Sequence, residues 1–277
     1  MTAGPPPDTT APDTWAPGAR APGGPLAGLT AVVTGGAGGI GQATVARLAA
    51  GGAVVASVDL TTADQATKRA DAAPGDRGAG PALTIRADVT STADLAAAAR
   101  RVRGELGGCD ILVLCAGVAV TGPAGTATEA DWDRVFAVNV RGAWLSFREF
   151  LPVLRRPASV VTVASATGLR PLPGLAAYSA AKAALIGLTR SIAVDYAADQ
   201  IRANCVCPGQ VATPLAARVQ AQRPAGQRAA VASFADYPVQ RAGQPAEVAA
   251  AISYLCQPEA GYVTGTVLAV DGGRSLH

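Results

Sequence analysis

Thr30-Ala31-Val32-Val33-Thr34-Gly35-Gly36-Ala37-Gly38-Gly39-Ile40-Gly41 runs from a β-branched stretch through a glycine-rich turn into an Ala-rich segment with helical character. The turn carries the spacing Gly36-x-Gly38-x-x-Gly41. Glycines at such positions allow a tight turn and let the backbone approach a pyrophosphate seated on the helix N-terminus. The spacing alone is a weak signal, but after a strand and before a helix it stands in the context that gives it meaning. Gly35, Gly38, Gly39, Ile40 and Gly41 are therefore candidate cofactor-binding residues. Eighteen positions beyond Gly41 the next β-branched run ends in Val58-Asp59-Leu60. An acid there can accept from the adenosine ribose hydroxyls and would repel a 2′-phosphate. No Arg or Lys lies in the turn or directly after Asp59. The expected cofactor is NAD rather than NADP. The plainer alternative is that Asp59 caps the following helix.

Outward from this unit the pattern repeats. Short β-branched runs at 30–34, 53–58, 82–87, 110–114, 159–164, 201–206 and 266–270 alternate with Ala-rich helical segments at 40–50, 62–72, 91–106, 129–151, 176–198 and 245–256. Near-continuous apolar strands alternating with helices predict a parallel sheet covered on both faces. Right-handed crossovers then give an α/β Rossmann-type, doubly wound sheet of about seven strands in a single domain over 26–277. The gaps 71–81 and 212–241 are long for such a fold, and the second predicts a substrate lid with short helices. Residues 1–25 are rich in Pro, Gly, Thr and Ala without apolar period, which predicts a disordered tail.

Composition excludes several classes. The 277 residues are 49% hydrophobic, enough for a sizeable core. A net charge of +3 does not suggest a nucleic-acid binder. No stretch of 18 or more apolar residues predicts a membrane span, and no basic-then-apolar start predicts a secretory signal, so the expected location is cytoplasmic. The five cysteines, Cys109, Cys115, Cys205, Cys207 and Cys256, lack framework spacing. They read as small buried hydrophobes, with Cys205 and Cys207 on one strand face. The single His is His277, so chemistry built on His, or a metal site, is not expected.

An acid–base pair of another kind is present. Tyr178 and Lys182 stand one helical turn apart, and Ser165 lies thirteen positions upstream at the end of an apolar run. Residues i and i+4 share a helix face. A cation about 4 Å from the phenol, at an effective dielectric near 20, favours the phenolate by roughly 4 kcal/mol. That would bring a group with a pKa of about 10 toward the useful range. A Ser hydroxyl nearby could donate to a developing alkoxide. On spacing alone, a helix-start Tyr beside a solvated Lys is the plainer reading.

With these motifs in order, the chain resembles the short-chain dehydrogenase/reductase family over about residues 26–273. Thr34-Gly35-x-x-x-Gly39-Ile40-Gly41 resembles its cofactor turn, and Asp88-Val89 its acid after the third strand, which contacts adenine. Cys115-Ala116-Gly117 resembles the family's Asn-Ala-Gly, with Cys115 in place of the Asn that helps hold neighbouring strands. Asn139 stands where the family has its helix Asn. Ser165, Tyr178 and Lys182 match the catalytic Ser and Tyr-xxx-Lys. Pro208-Gly209-x-Val211-x-Thr213 resembles the loop around the nicotinamide, and Val270-Asp271-Gly272-Gly273 the C-terminal end.

The resemblance implies roles. Tyr178 is the acid–base, Lys182 lowers its pKa and binds the nicotinamide ribose, and Ser165 steadies the substrate oxygen. Asn139 holds a water linking Lys182 to solvent, and Thr213 contacts the carboxamide. Ala116, Gly117, Pro208, Gly209 and Val211 join the cofactor site. Residues 116–120, 166–175 and 210–216, with part of the lid, should wall the substrate pocket, Ser165, Thr167, Leu172, Tyr178 and Gln210 meeting the substrate. Apolar Ala166, Leu169, Leu172, Leu175, Val211 and Leu215 predict a mainly apolar alcohol or ketone. Arg170 could meet an anionic group, although a surface or subunit-interface role is the plainer one. Arg218, Arg223 and Arg228 read as a consequence of composition. The leading reading is an NAD-dependent dehydrogenase of a secondary alcohol. The alternatives are an NADPH-dependent ketone or 3-oxoacyl reductase, related chemistry on the same scaffold, and a catalytically silent cofactor-binding regulator or scaffold. The family resemblance also implies a homotetramer or homodimer, with helices 129–151 and 176–198 and the C-terminal segment at the interfaces.

Overall fold

The strands form because alternate side chains on each find a different apolar layer. Ala31 and Val33 of β1 (Thr30–Thr34) face one layer and Val32 the other. Ile111 and Val113 of β4 (Cys109–Leu114) divide from Leu112 and Leu114 in the same way. Such two-sided burial is what a parallel sheet under helices requires. The computed structural model describes residues 23–61, 80–223, 234 and 237–276. The predicted tail up to residue 22, the predicted helix at 62–72 and Arg228 lie outside the described residues.

The other strands are β2 (Val54–Asp59), β3 (Leu83–Arg86), β5 (Leu154–Val163), β6 (Ile201–Pro208) and β7 (Val267–Val270). All pair in parallel in one seven-stranded sheet of order β3-β2-β1-β4-β5-β6-β7. The order reverses between β1 and β4, the switch point where open α/β sheets bind ligands. This is the Rossmann-type single domain that the alternation predicts.

On one face lie α1 (Gly39–Ala50) and α7 (Pro245–Cys256), which pack Val45 and Leu48 against Val248, Ile252 and Leu255. On the other lie α2 (Thr92–Leu106), α4 (Gly142–Phe150) and α5 (Ala176–Asp195), contributing Leu95, Phe150, Leu185 and Ile192. Between α3 (Glu129–Phe136) and α4 runs a π-helical turn, Ala137–Arg141. The single helix predicted over 129–151 is thus divided. Helix α6 (Pro214–Gln222) opens the predicted lid.

Caps follow the sequence. Ser91 accepts from the Asp94 amide at the start of α2, and Thr128 from the Asp131 amide at the start of α3. Helix α7 has Pro245 in its first turn and a Gln244–Glu247 capping box. Helix α1 differs: its N-cap is Gly38, with no side-chain cap. Its first amides are left for something else. Strand β5 begins five residues earlier than its apolar run, because Leu154 pairs with Cys109 before the register shifts to Ser159 opposite Ile111.

Candidate active site

The glycine turn closes over the carboxyl end of β1. The Gly35 amide donates to the Val58 carbonyl (2.8 Å), and a Cβ at Gly35, whose φ is +70°, would stand 2.6 Å from the Ala116 backbone. A Cβ at Gly41 would stand 2.0 Å from the Gly35 carbonyl oxygen. No other residue type fits either place. The turn therefore lies directly against the loop after β4, at the switch point. Gly39 meets the methyl of Thr213, which a Cβ would approach to 2.8 Å.

Asp59 ends β2 with its carboxylate under this turn. One oxygen accepts from the Ala37 amide (3.0 Å), the other from the amide and hydroxyl of Thr61 (3.1 Å each). Asp88 accepts from the Thr90 amide and hydroxyl (2.8 Å each), while Val89 is buried against Gly142. Where Cys115 replaces the expected Asn, its amide donates to the Thr34 carbonyl (3.2 Å) and hydroxyl (3.3 Å), and that hydroxyl reaches the Val113 carbonyl (3.4 Å). Thr34 thus joins β1 to β4 beside Cys115. Burial pushes the Cys115 thiol up to about 11. All five cysteines are free. Cys205 and Cys207 stand 3.9 Å apart on one strand face, as expected.

Asn139 sits fully buried in the π turn. Its amide oxygen accepts from the Val118 amide and its nitrogen donates to the Val118 carbonyl, both at 2.8 Å. The widened turn is what aims this side chain at the loop. A Cβ at Gly117 would lie 3.2 Å from the Asn139 amide oxygen and 3.4 Å from Lys182 Nζ, so Ala116-Gly117 bring Asn139 and Lys182 together.

Ser165 follows β5. Its hydroxyl accepts from the Thr167 amide (3.2 Å) and hydroxyl (3.0 Å), and it lines the same cleft as the Tyr178 phenol. Lys182 is buried, and its Nζ donates to the Val163 carbonyl at 2.8 Å. That bond holds Nζ 5.6 Å from the centre of the Tyr178 ring. Here the structure corrects the arithmetic from spacing. Burial pushes the Tyr178 phenol up to about 12, against the Ser165 hydrogen bond that draws it down. Burial also lowers Lys182, opposed by the nearby thiols of Cys115, Cys205 and Cys207. The i, i+4 spacing brings the pair together, but burial is the largest influence on each of them.

Ser165, Thr167 and Tyr178 open onto a cleft of about 820 Å³, its open mouth included. Ile40, Pro208, Gly209, Thr213 and Gln210 line it at the cofactor turn and the loop after β6, and Ala119, Ala166, Leu172, Leu175, Val211 and Leu215 supply apolar wall. Leu169 does not: it is exposed outside the cleft. Thr213 uses its hydroxyl to cap α6, accepting from the Ala216 amide at 3.2 Å. Arg170 lines the mouth, while Arg218 is exposed and away from it. Arg223, which composition seemed to explain, is buried and lines the cleft, as do Tyr237 and Arg274. Neither Tyr237 nor Arg274 was singled out, and no local spacing marks them. Among the described residues no group of His, Cys, Asp and Glu could hold a metal ion, and no helix is long and apolar enough to cross a membrane.

A family model described as enoyl-(acyl carrier protein) reductase matches residues 35–275. The chain belongs to the short-chain dehydrogenase/reductase family. It is thereby one of the NAD(P)-dependent oxidoreductases acting on CH–OH groups. The dehydrogenase is 41% identical over 246 residues to cis-4-hydroxycyclohexanecarboxylate dehydrogenase of Sinomonas cyclohexanicum, covering 88% of this chain and 95% of that one. It is 37% identical over 245 residues to 2-(S)-hydroxypropyl-CoM dehydrogenase 3 of Xanthobacter autotrophicus, again 88% and 95%. The crystal structure of levodione reductase superposes with a TM-score of 0.81 at 32% identity, covering 91% of this chain and 99% of that one.

Proposed function

We propose that this dehydrogenase interconverts a secondary alcohol and a ketone with NAD, using Tyr178 as the acid–base. The observation that carries the reading is that Tyr178 and Ser165 line one apolar cleft beside a helix N-terminus with no side-chain cap. The residues present fit a dinucleotide. The turn at Gly35, Gly38, Gly39, Ile40 and Gly41 forms a cradle that side chains would fill, and the first amides of α1 suit a pyrophosphate. Asp59 would take the adenosine ribose, since carboxylate oxygens accept more than one donor, and its charge opposes a 2′-phosphate. Asp88 and Val89 would flank adenine, and Ala116, Gly117, Lys182, Pro208, Gly209, Val211 and Thr213 the nicotinamide half.

When bound, the nicotinamide supplies the hydride acceptor or donor. The chain supplies position and protons. In alcohol oxidation Tyr178 takes the hydroxyl proton, and in ketone reduction it returns one. Ser165 donates to the substrate oxygen as negative charge develops there. Thr167 acts through Ser165 as a positioning residue. Asn139 likewise fixes Val118, and with it the Gly117 backbone beside Lys182. Leu172 and Gln210 bound the substrate space. Relatives bearing alcohol- and ketone-active names support the class, and half-exposed Trp132 and Trp144 on α3 and α4 support a face covered in a homotetramer or homodimer.

The test is a pair of dissociation constants, for NADH and NADPH, read by quenching of Trp emission. Tighter NADH binding, followed by turnover of secondary alcohols with NAD, is the expected result. Tighter NADPH binding would move the ketone reductase reading to first place, and binding of neither would remove the enzyme reading.

A further inference from the structure

Resting on that reading, we propose that the substrate carries an organic acid group, a carboxylate or sulfonate, held by Arg223 and Arg274 in the cleft that Ser165 and Tyr178 line. Both arginines line the cleft, and each is only 6% exposed. Arg223 Nη1 donates to the Pro173 carbonyl (3.3 Å), while its Nε has no acceptor among the described residues. Arg274 Nη1 has none either. Among the described residues no Asp or Glu lines the cleft. Asp271, close to Arg274 in the chain, spends its two oxygens on the Gly273 (2.9 Å) and Ser275 (2.8 Å) amides. Glu247, at the far side of the lid, pairs with Arg241. Arg170 adds a third cation at the mouth, donating to the Arg274 carbonyl at 3.3 Å.

A guanidinium withdrawn from water without an acceptor is costly, and two such groups in one cavity repel each other as well. A carboxylate or sulfonate removes both penalties, because its planar or tripodal oxygens match the guanidinium fork. Leu172, Leu175, Val211 and Leu215 line the same cleft as Ser165 and Tyr178. The ligand they describe has a hydroxyl or keto group at one end, an apolar body, and an anion at the other. Gln210 and Gln220 also line the cleft with amide oxygens lacking a partner. A half-turn of each amide presents NH₂ donors instead, which suits an anion equally.

The experiment compares kcat/KM for hydroxy acids of several skeletons (3-hydroxybutyrate, 3- and 4-hydroxycyclohexanecarboxylate) with that for their primary amides, using NAD. Wild-type enzyme should prefer the acids by at least about tenfold, and Arg274→Gln and Arg223→Gln should each lower that ratio by about 10–100-fold, mainly through KM. Arg274→Lys, which keeps the charge but not the fork, should retain part of the preference. Equal use of acid and amide by the wild type, or an unchanged ratio in both Gln variants, would overturn the proposal. Calorimetric titration of cyclohexanecarboxylate into the protein with NADH separates this proposal from the reading beneath it. If no alcohol is turned over, the functional reading fails. Binding that is lost in both Gln variants would still uphold the anion site, and no binding to wild type would overturn it.

Discussion

The two ends of the sheet treat buried charge in opposite ways. At the amino ends of the strands, Arg202 is as buried as Arg274, but its Nη1 donates to the Val263 carbonyl (3.0 Å) and its Nη2 to the Leu255 (3.0 Å) and Gln257 (3.3 Å) carbonyls. Nearby Asp110 accepts from the Thr30 amide (2.7 Å) and pairs with Arg155. At the carboxyl ends, α1 has no side-chain cap, the Tyr178 phenol is held neutral, and Arg223 and Arg274 keep donors without acceptors. One end meets its buried charge with several carbonyls and a carboxylate of the chain itself and contributes stability. The other is left incomplete by the chain, and that incompleteness is where binding and chemistry reside.

That division can be broken most sharply at Tyr178. Replacing it with Phe removes one hydroxyl and should lower kcat by about 10²–10⁴-fold while the NADH dissociation constant stays nearly unchanged. Substantial residual turnover would remove Tyr178 as the acid–base. The contrary effect is expected at the other end. Arg202→Met removes three hydrogen bonds to the Val263, Leu255 and Gln257 carbonyls and should destabilise the fold by about 3 kcal/mol in urea titration, with kcat per folded molecule retained. A stable variant with altered turnover would erase the distinction between the ends.

A smaller change tests the cofactor side. Asp59→Ala removes the charge beside the ribose site and should narrow the preference for NAD over NADP by about tenfold in kcat/KM. An unchanged ratio would place discrimination elsewhere. The most gradual effect is pH dependence. With the Tyr178 phenol pushed up to about 12, its proton-donating form dominates at neutral pH. Ketone reduction should therefore be flat from about pH 6 to 8, whereas alcohol oxidation, which needs the phenolate, should rise about tenfold per unit until the phenol titrates. A plateau for oxidation near pH 7 would show that bound cofactor lowers the phenol by several units.

What could be read beforehand follows a physical rule. Val32 and Leu112 show the sheet because β-branched and apolar runs are local signals, and Gly35 to Gly41 show the turn because only glycine fits there. Ser165, Tyr178 and Lys182 were picked out by the family resemblance, because spacing alone favoured the plainer reading, and the structure places Ser165 and Tyr178 on one cleft. The direction of the phenol's shift was not legible, since Val163 draws Lys182 Nζ away and burial is a property of the whole fold. Arg223 and Arg274 stayed hidden for the same reason. Twenty-one arginines accompany two lysines in this chain, and nothing local tells a buried guanidinium from a solvated one. The π turn was missed because one widened turn barely disturbs the apolar period over 129–151.

That turn also acts as an angular offset. Each residue of an α-helix rotates the chain by about 100°. By widening at Ala137–Arg141, the backbone sets the phase of α4 independently of α3, so Val135 and the later pair Phe147 and Phe150 can all be buried while Asn139 turns toward Val118. Deleting a single residue there would leave an unbroken α-helix with its two halves in nearly their present phase, because a π turn takes up about one residue more than an α turn. Such a helix would keep Val135, Phe147 and Phe150 in the core but would lose the turn that aims Asn139 at Val118.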